Sequence, residues 1–385
     1  MNQQIHPMTR RHLIGRLAMA GFSAPVIASI LRDTAVAQDA TPTAQELLAS
    51  LGKNPDLIQH GTTTFETPVE LNNEFLTPNE NFFIRSNGPV SVDIPAGEWS
   101  LTVSGLVDEE LKLSLEDLQG MESRTITAFL ECSGNSRGRF DPQADGTQWG
   151  NGAIGNAEWT GVSLIDVLDM AGVQEGAVDL VSQGGDFPEM QRGLPIEIAF
   201  DPDVMLVWQM NGEDLPQPNG GPVRLLVPGW GGIASTKWIA GLDIIDQPFA
   251  GSFNTESYVF INEDGTIVRP VREMPVKSVI TSLVPGAQLA AGDQTIGGFA
   301  WSGYAGIARV DVSVDDGDWQ EADLVEEAGP RSWVRFELPW TAEAGEHRLR
   351  SRATDQIALQ QPETVSWNAK GYGMNTIYEV PVTVR

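Results

Sequence analysis

Apolar residues along this chain of 385 residues come in short runs divided by turn formers. Between Phe82 and Val284 the runs Phe82-Phe-Ile-Arg85, Trp99-Ser-Leu-Thr-Val103, Thr125-Ile-Thr-Ala-Phe-Leu130, Val204-Met-Leu-Val-Trp208 and Val223-Arg-Leu-Leu-Val227 predict strands. They are short and rich in β-branched and aromatic residues, which suits a pleated, half-buried surface. Ser114–Gln119 and Ser163–Met170 show helical spacing behind a serine, the signature of a capped helix start. The polar, Pro-containing stretch 38–80 predicts surface chain with one short helix around Ala44–Leu51. After Pro285-Gly286 the pattern becomes strictly strand-like, with Gln294–Trp301, Ala308–Val314, Trp333–Leu338, His347–Ala353 and Tyr378–Val384 joined by turns such as Asp315-Asp-Gly317. The expected architecture is α+β: a mixed catalytic domain over 38–284, then an immunoglobulin-like β-sandwich over 285–385, without that fold's disulfide. There is no internal repeat and no low-complexity tract.

The first residues follow a different pattern. Thr9-Arg-Arg-His-Leu-Ile-Gly15 precedes an apolar stretch to Leu31 and then Ala35-Val-Ala37. Twin arginines, a moderately apolar segment and an A-x-A site predict a twin-arginine signal peptide over 1–37. Arg16 and the many small residues leave the stretch short of the ~20 apolar residues a spanning helix needs. The expected mature protein is soluble, periplasmic or exported, with no membrane segment. The twin-arginine route carries folded proteins, which suits one that takes up a cofactor before crossing.

Composition narrows the chemistry. Lys and Arg number 24 against 52 Asp and Glu, a net charge of −28. Loss of residues 1–37 removes four arginines and one aspartate and takes the charge to −31. Such a surface excludes the basic footprint of a nucleic-acid binder and suits a high-salt habitat or a basic partner. Of the 4 histidines only His60 and His347 lie beyond the signal, too few for a histidine-ligated metal or a serine triad. The 11 Trp, 40 Gly and 24 Pro fit strands and ordered loops.

The 1 cysteine, Cys132, lies in Phe129-Leu-Glu-Cys-Ser-Gly-Asn-Ser-Arg137. No disulfide or zinc cluster can include it, and most lone cysteines are small buried hydrophobes. Ser133, Gly134 and Asn135 instead predict a loop mouth, and Arg137 and Arg139 would favour the thiolate.

That segment, together with Trp149-Gly-Asn-Gly-Ala-Ile-Gly-Asn-Ala-Glu-Trp159, Met210-Asn-Gly-Glu-Asp-Leu-Pro216, Gly221-Pro-Val-Arg-Leu-Leu-Val-Pro228, Lys237-Trp238 and Met274-Pro-Val-Lys-Ser-Val-Ile280, resembles the sulfite oxidase family of molybdopterin enzymes. The resemblance runs from about Asn79 to the C-terminus. It implies a molybdenum–molybdopterin cofactor with Cys132 as the metal ligand, a soft donor suited to a sulfur-rich centre. It implies cofactor contacts at Phe83, Arg85, Ser133, Asn135, Arg224, Ser235 and Lys237, and the Gly229-Trp-Gly-Gly232 loop could offer backbone donors to a phosphate. A small sulfur oxyanion would meet Arg85, Arg137 and Lys370, with Trp149 walling the pocket and the Tyr258 hydroxyl bonding an oxygen. Arg85-Ser86-Asn87 stands where the family often has Arg-Asn-His, Asn219 where some members have a histidine, and Lys370 where animal enzymes have arginine.

The activity implied is oxidation of sulfite to sulfate by oxygen-atom transfer. Electrons would pass to an external c-type cytochrome, since no CxxCH motif or cytochrome b5-like segment is present. The terminal sandwich would make a homodimer. A sulfane dehydrogenase acting on carrier-bound sulfur is the alternative of the same kind. A sulfoxide reductase fits the Cys-Ser-Gly-Asn loop and the sandwich poorly, and a secreted immunoglobulin-like binding protein leaves the cysteine and its arginines without a role.

Overall fold

The alternation seen in the sequence is realised as stacked antiparallel sheets. A computed structural model describes residues 42–187 and 189–385; the signal expected at 1–37 lies outside them. The helix Ala44–Ser50 opens with a capping box, Thr43 and Glu46 each bonding the other's backbone N–H. From Leu48 to Arg385 the chain forms one unit.

Two five-stranded sheets make its first part. One runs Glu213–Asp214, Met205–Met210, Ile154–Ser163 and Ser123–Glu131, with Arg224–Leu226 also paired to Met205–Met210. The other runs Leu111–Ser114, Ser100–Gly105, Ile239–Ile245, Asp179–Gly184 and Gln191–Pro195, with a single parallel pairing between Ser100–Gly105 and Ile239–Ile245. Leu101, Val162, Leu206 and Leu242 are buried in one core shared by both. The helix Leu164–Ala171 covers it with Leu164, Val167, Leu168 and Ala171 and stops at left-handed Gly172. Leu115–Gln119 is shorter and carries a complete Ser114–Asp117 capping box. Ser163 also precedes its helix, but its side chain makes no cap bond.

The second part is a two-sheet β-sandwich. Four strands run Lys277–Ile280, Gly292–Trp301, Val334–Ala342 and Asp323–Glu326. Five run Ala287–Leu289, Glu379–Val384, Gly345–Asp355, Ile307–Val314 and Gln320–Glu321. Ile296, Val310, Phe336, Leu349 and Val380 fill the space between them. The boundary expected at 285 needs correction: Lys277–Ile280 already pairs with Gly298–Trp301, so the sandwich starts earlier. Pro285-Gly286 is a turn inside it, and a turn signal alone does not separate a domain junction from a strand connection.

The two parts meet through Phe129, Ile154, Met274, Phe299, Trp301 and Trp333, with Phe299 and Trp333 stacked at 4.2 Å. Beside them lies a buried ion pair. Glu131 accepts from Trp301 Nε1 at 2.8 Å and Asn135 Nδ2 at 2.8 Å, and faces Lys277 Nζ at 3.8 Å. Burial raises the Glu131 carboxyl against the pull of Lys277, and burial takes the Lys277 ammonium down to about 8.

Removing one member of such a pair leaves an uncompensated buried charge, which typically costs about 3–5 kcal/mol. Lys277→Met is therefore expected to lower unfolding free energy by roughly that amount in a denaturant titration. Glu131→Gln/Lys277→Met should recover most of it, and a single variant as stable as wild type would contradict the pairing.

Candidate active site

The Ser123–Glu131 strand ends where its partner Ile154–Ser163 begins, and the next residue is Cys132. Its N–H donates to the Ala153 carbonyl at 2.8 Å, and its carbonyl accepts from Asn135 N at 2.8 Å. Ser136 then adopts a left-handed conformation (φ 66°) that turns the chain into Arg137–Arg139. The thiol thus sits at a strand end on a tight loop, as expected, but partly buried. Burial pushes the Cys132 thiol up, and only partly do Arg85 and Arg137 oppose this, so the expected thiolate preference is not built in without a bound cation.

Cys132 opens into a cavity. Phe83, Arg85, Ser133, Tyr258, Arg224, Ser235 and Lys237 line it with the thiol. Arg85 donates to the Ser86 carbonyl and, at 2.6 Å, to Asn87 Oδ1. Tyr258 hydroxyl donates to the same Asn87 oxygen at 3.0 Å. Lys237 Nζ donates to Ser86 Oγ and to the Pro218 carbonyl. Ser86 and Asn87, the residues that depart from the family pattern, therefore tie three of the expected site residues together.

Arg137 is clamped beside this cavity. Its Nε donates to the Lys370 carbonyl at 2.8 Å, its Nη1 to Thr147 carbonyl at 3.0 Å, and its guanidinium lies 5.0 Å over the Tyr372 ring. A Cβ on Gly134 would lie 2.5 Å from Nη2, and one on Gly371, at φ 59°, 2.6 Å from Arg137 Cγ. These glycines are the space the arginine fills. Among the described residues no partner accepts from Nη2, which leaves that nitrogen free for an anion. Lys370 is half-buried in the loop that bonds Arg137 through its backbone.

Three expectations change. Asn135 is buried, with Nδ2 on Glu131 and Oδ1 accepting from Ala153 N, so its amide braces the loop and does not line the cavity. Trp149 is fully buried edge-on between His60 and Phe83, one layer behind the lining. The Gly229–Gly232 loop offers no donors from Trp230, Gly231 or Gly232, since these N–H groups bond the carbonyls of Val227, Arg272 and Glu131.

The sequence reading missed Tyr372, Asp186 and Lys53. Tyr372 stacks on Tyr258 at 5.5 Å and donates to the Ser257 carbonyl at 3.0 Å; it lies two residues from Lys370, the signal that pointed to this loop. Asp186 lines the cavity, and its Oδ1 is buried without a partner among the described residues. Burial raises its carboxyl despite Lys237. Lys53 carries no local motif.

The donor set fits a molybdenum–pterin group. One soft thiol and the buried cations Arg224 and Lys237 line the same cavity, and beside it Ser133 Oγ and Asp186 Oδ1 are buried without partners among the described residues. A carboxylate in a cationic cavity suits amino-pterin N–H donors, and Lys237 and Arg224 suit a phosphate. Among the described residues no group of three or more His, Cys, Asp or Glu could hold a metal by themselves.

Comparison with known proteins agrees. Residues 87–253 match the oxidoreductase molybdopterin binding domain and 268–385 the Mo-co oxidoreductase dimerisation domain. The sulfite oxidase of Gallus gallus is 34% identical over 364 residues, 86% of this chain and 79% of that one. The sulfite oxidase of Arabidopsis thaliana is 31% identical over 337 residues, 77% and 85% of the two chains. The mitochondrial sulfite oxidase of Rattus norvegicus is 33% identical over 348 residues, 83% of this chain, which spans 64% of that protein's length. The crystal structure of the sulfane dehydrogenase SoxCD from Paracoccus pantotrophus superposes with a TM-score of 0.78 at 32% identity, covering 91% of this chain and 95% of that one. Fold and site together define a molybdopterin-binding oxidoreductase, with molybdenum–molybdopterin as its cofactor. The chain belongs to the sulfite oxidase family.

The crowded cations carry a pH signature in the cofactor-free protein. Burial takes Lys53 to about 7 and Arg224 to about 9, and burial together with Arg224 takes Lys237 well below the usual lysine range. Above pH 7 the folded state therefore binds fewer protons than the unfolded chain, so stability rises with pH, by at most about 1.4 kcal/mol per unit for each lysine. The melting temperature of cofactor-free protein is expected to climb from pH 7 towards pH 8.5, less steeply in Lys53→Met, and added pyrophosphate should flatten it. A wild-type slope equal to that of Lys53→Met would contradict this account.

Proposed function

We propose that the protein oxidises sulfite to sulfate, with water supplying the added oxygen and two electrons leaving one at a time to an external c-type cytochrome. When bound, the molybdenum centre supplies oxygen-atom transfer and two-electron storage, and Cys132 is its protein ligand. Arg85, Arg137 and Lys370 hold the substrate anion, Arg137 through the Nη2 that its clamp leaves free. Tyr258 presents its ring and its oxygen lone pairs, since its proton is held by Asn87. Trp149 supports Phe83 from behind, and Arg224, Ser235 and Lys237 hold the pterin and its phosphate. The observation that carries the reading is one thiol, with Arg85 and Arg137 acting on it, in a cavity that Arg224 and Lys237 also line. Export by the twin-arginine route and a homodimer through the sandwich complete the proposal.

The likeness to the sulfane dehydrogenase structure supports a second reading, oxidation of sulfur bound to a carrier protein. The partly buried thiol is within reach of a small anion, whereas a carrier would have to present its sulfur on an extended arm.

Molybdenum-loaded protein should reduce ferricyanide or ferric cytochrome c on addition of sulfite. Cys132→Ser should lose at least about a hundredfold in turnover, the scale for removal of a group acting directly on the reacting centre. Retained turnover would refute the ligand role. Activity only with a sulfur-loaded carrier protein would replace sulfite as substrate.

Without residues 1–37 a body of net charge −31 repels sulfite at long range, while the cavity cations attract it within the ~8 Å screening length at physiological salt. Moderate salt should therefore lower the KM for sulfite and slow reduction of a basic cytochrome. A KM and a cytochrome rate both flat with salt would remove the steering argument.

A further inference from the structure

Lys53 is buried, and its Nζ donates to the carbonyls of Asn79 at 2.5 Å and Phe82 at 3.1 Å and to Asn219 Oδ1 at 2.7 Å. An ammonium has three donors, so all are used and none is left for a ligand. No carboxylate lies within ion-pair distance of it among the described residues; Glu80 acts on it only through space. Burying a charge against neutral oxygens is costly, and a methionine of similar length would fill the space without that penalty.

The consequence of the lysine appears in Asn219. A carboxamide can turn either end towards a neighbour, but an ammonium accepts nothing, so only Oδ1 can face Lys53. The Asn219 carbonyl is held as well, accepting from Arg224 Nη1 at 2.7 Å. Asn219 lines the cavity beside Arg224 and Lys237, and no group among the described residues accepts from its Nδ2. Arg224 is itself fixed by the Ser235 carbonyl at 2.7 Å.

We propose that Lys53 is a positioning residue for cofactor retention, locking the Asn219 carboxamide so that its NH2 group donates into the cavity that Arg224 and Lys237 also line. Lys53 also bonds the Phe82 carbonyl, so the same ammonium sets the segment that carries Phe83 and Arg85. Its charge adds to that of Lys237 and Arg224 without touching the ligand, and a bound anion would offset all three. The inference holds whichever sulfur species is oxidised, because it concerns only the cofactor.

The test reads molybdenum per chain in purified holoenzyme and its rate of loss on dilution, with the melting temperature of cofactor-free protein measured alongside. Lys53→Met should lose molybdenum about tenfold faster than wild type, the scale seen for partners that orient metal-site ligands. Its cofactor-free form should melt no lower than wild type at pH 7. Asn219→Asp keeps an acceptor for Lys53 but replaces the NH2 donors with a second oxygen. It should lose molybdenum at least as fast while melting no lower. Wild-type retention in either variant overturns the proposal, and so does loss of molybdenum that is matched by an equal fall in the melting temperature of both cofactor-free proteins. Should Lys53→Met fail to fold, Asn219→Asp decides by itself. Sulfite turnover does not enter this readout, so failure of the substrate reading leaves it intact.

Discussion

The buried carboxylate of Glu131 is the joint on which the site depends. It closes the strand that carries Cys132, receives the Asn135 amide of the cysteine loop and the Trp301 indole of the sandwich, and faces Lys277 at the sandwich's first strand. Its own carbonyl accepts from Gly232 N at 2.7 Å, which fixes the cavity floor. Lys277 reaches on to Ser136 Oγ at 2.5 Å, and Ser136 to Asn151 at 2.5 Å. Low local dielectric makes such a network strong when complete and costly when any member is lost. The sandwich is therefore more than an appended module: it supplies the indole and the ammonium that hold the loop of Cys132.

A second constraint is electrostatic. The chain is strongly acidic, yet Arg85, Arg224 and Lys237 line its cavity with one carboxylate, Asp186, and the buried Lys53 lies close enough to act on Lys237. Burial and mutual repulsion hold these cations in a state that an anion relieves. The same crowding that weakens the cofactor-free protein favours an anionic cofactor, and the acidic exterior leaves that preference confined to the cavity.

Much of the fold was legible from local pattern. Except for Val334–Ala342, which runs on well past the expected Leu338, the strand runs appear within a residue or two of their expected ends, and both serine-led helices form. Periodicity reports which face is buried, and that is a local property. Pro285-Gly286 misled because a turn inside a sandwich and a turn between domains use the same residues. The Gly229–Gly232 loop misled for a related reason: glycines expose backbone donors, but whether those donors are free depends on the chain packed opposite.

The sequence by itself determined the sheet-rich architecture and the one thiol able to meet a soft metal, because those rest on residue type and short spacing, and its motif blocks carried the family and cofactor class through their likeness to known relatives. Tertiary structure alone decided which cations converge and which side chains are committed elsewhere. Lys53 meets Asn219 across 166 positions, and Arg137 meets Lys370 across 233. Asn135 and Asn219 are alike as residues, yet one braces a loop and the other faces the cavity. The difference lies in the partner each carboxamide oxygen finds, a backbone N–H for Asn135 and a buried ammonium for Asn219, and contacts at such separations leave no trace in local pattern.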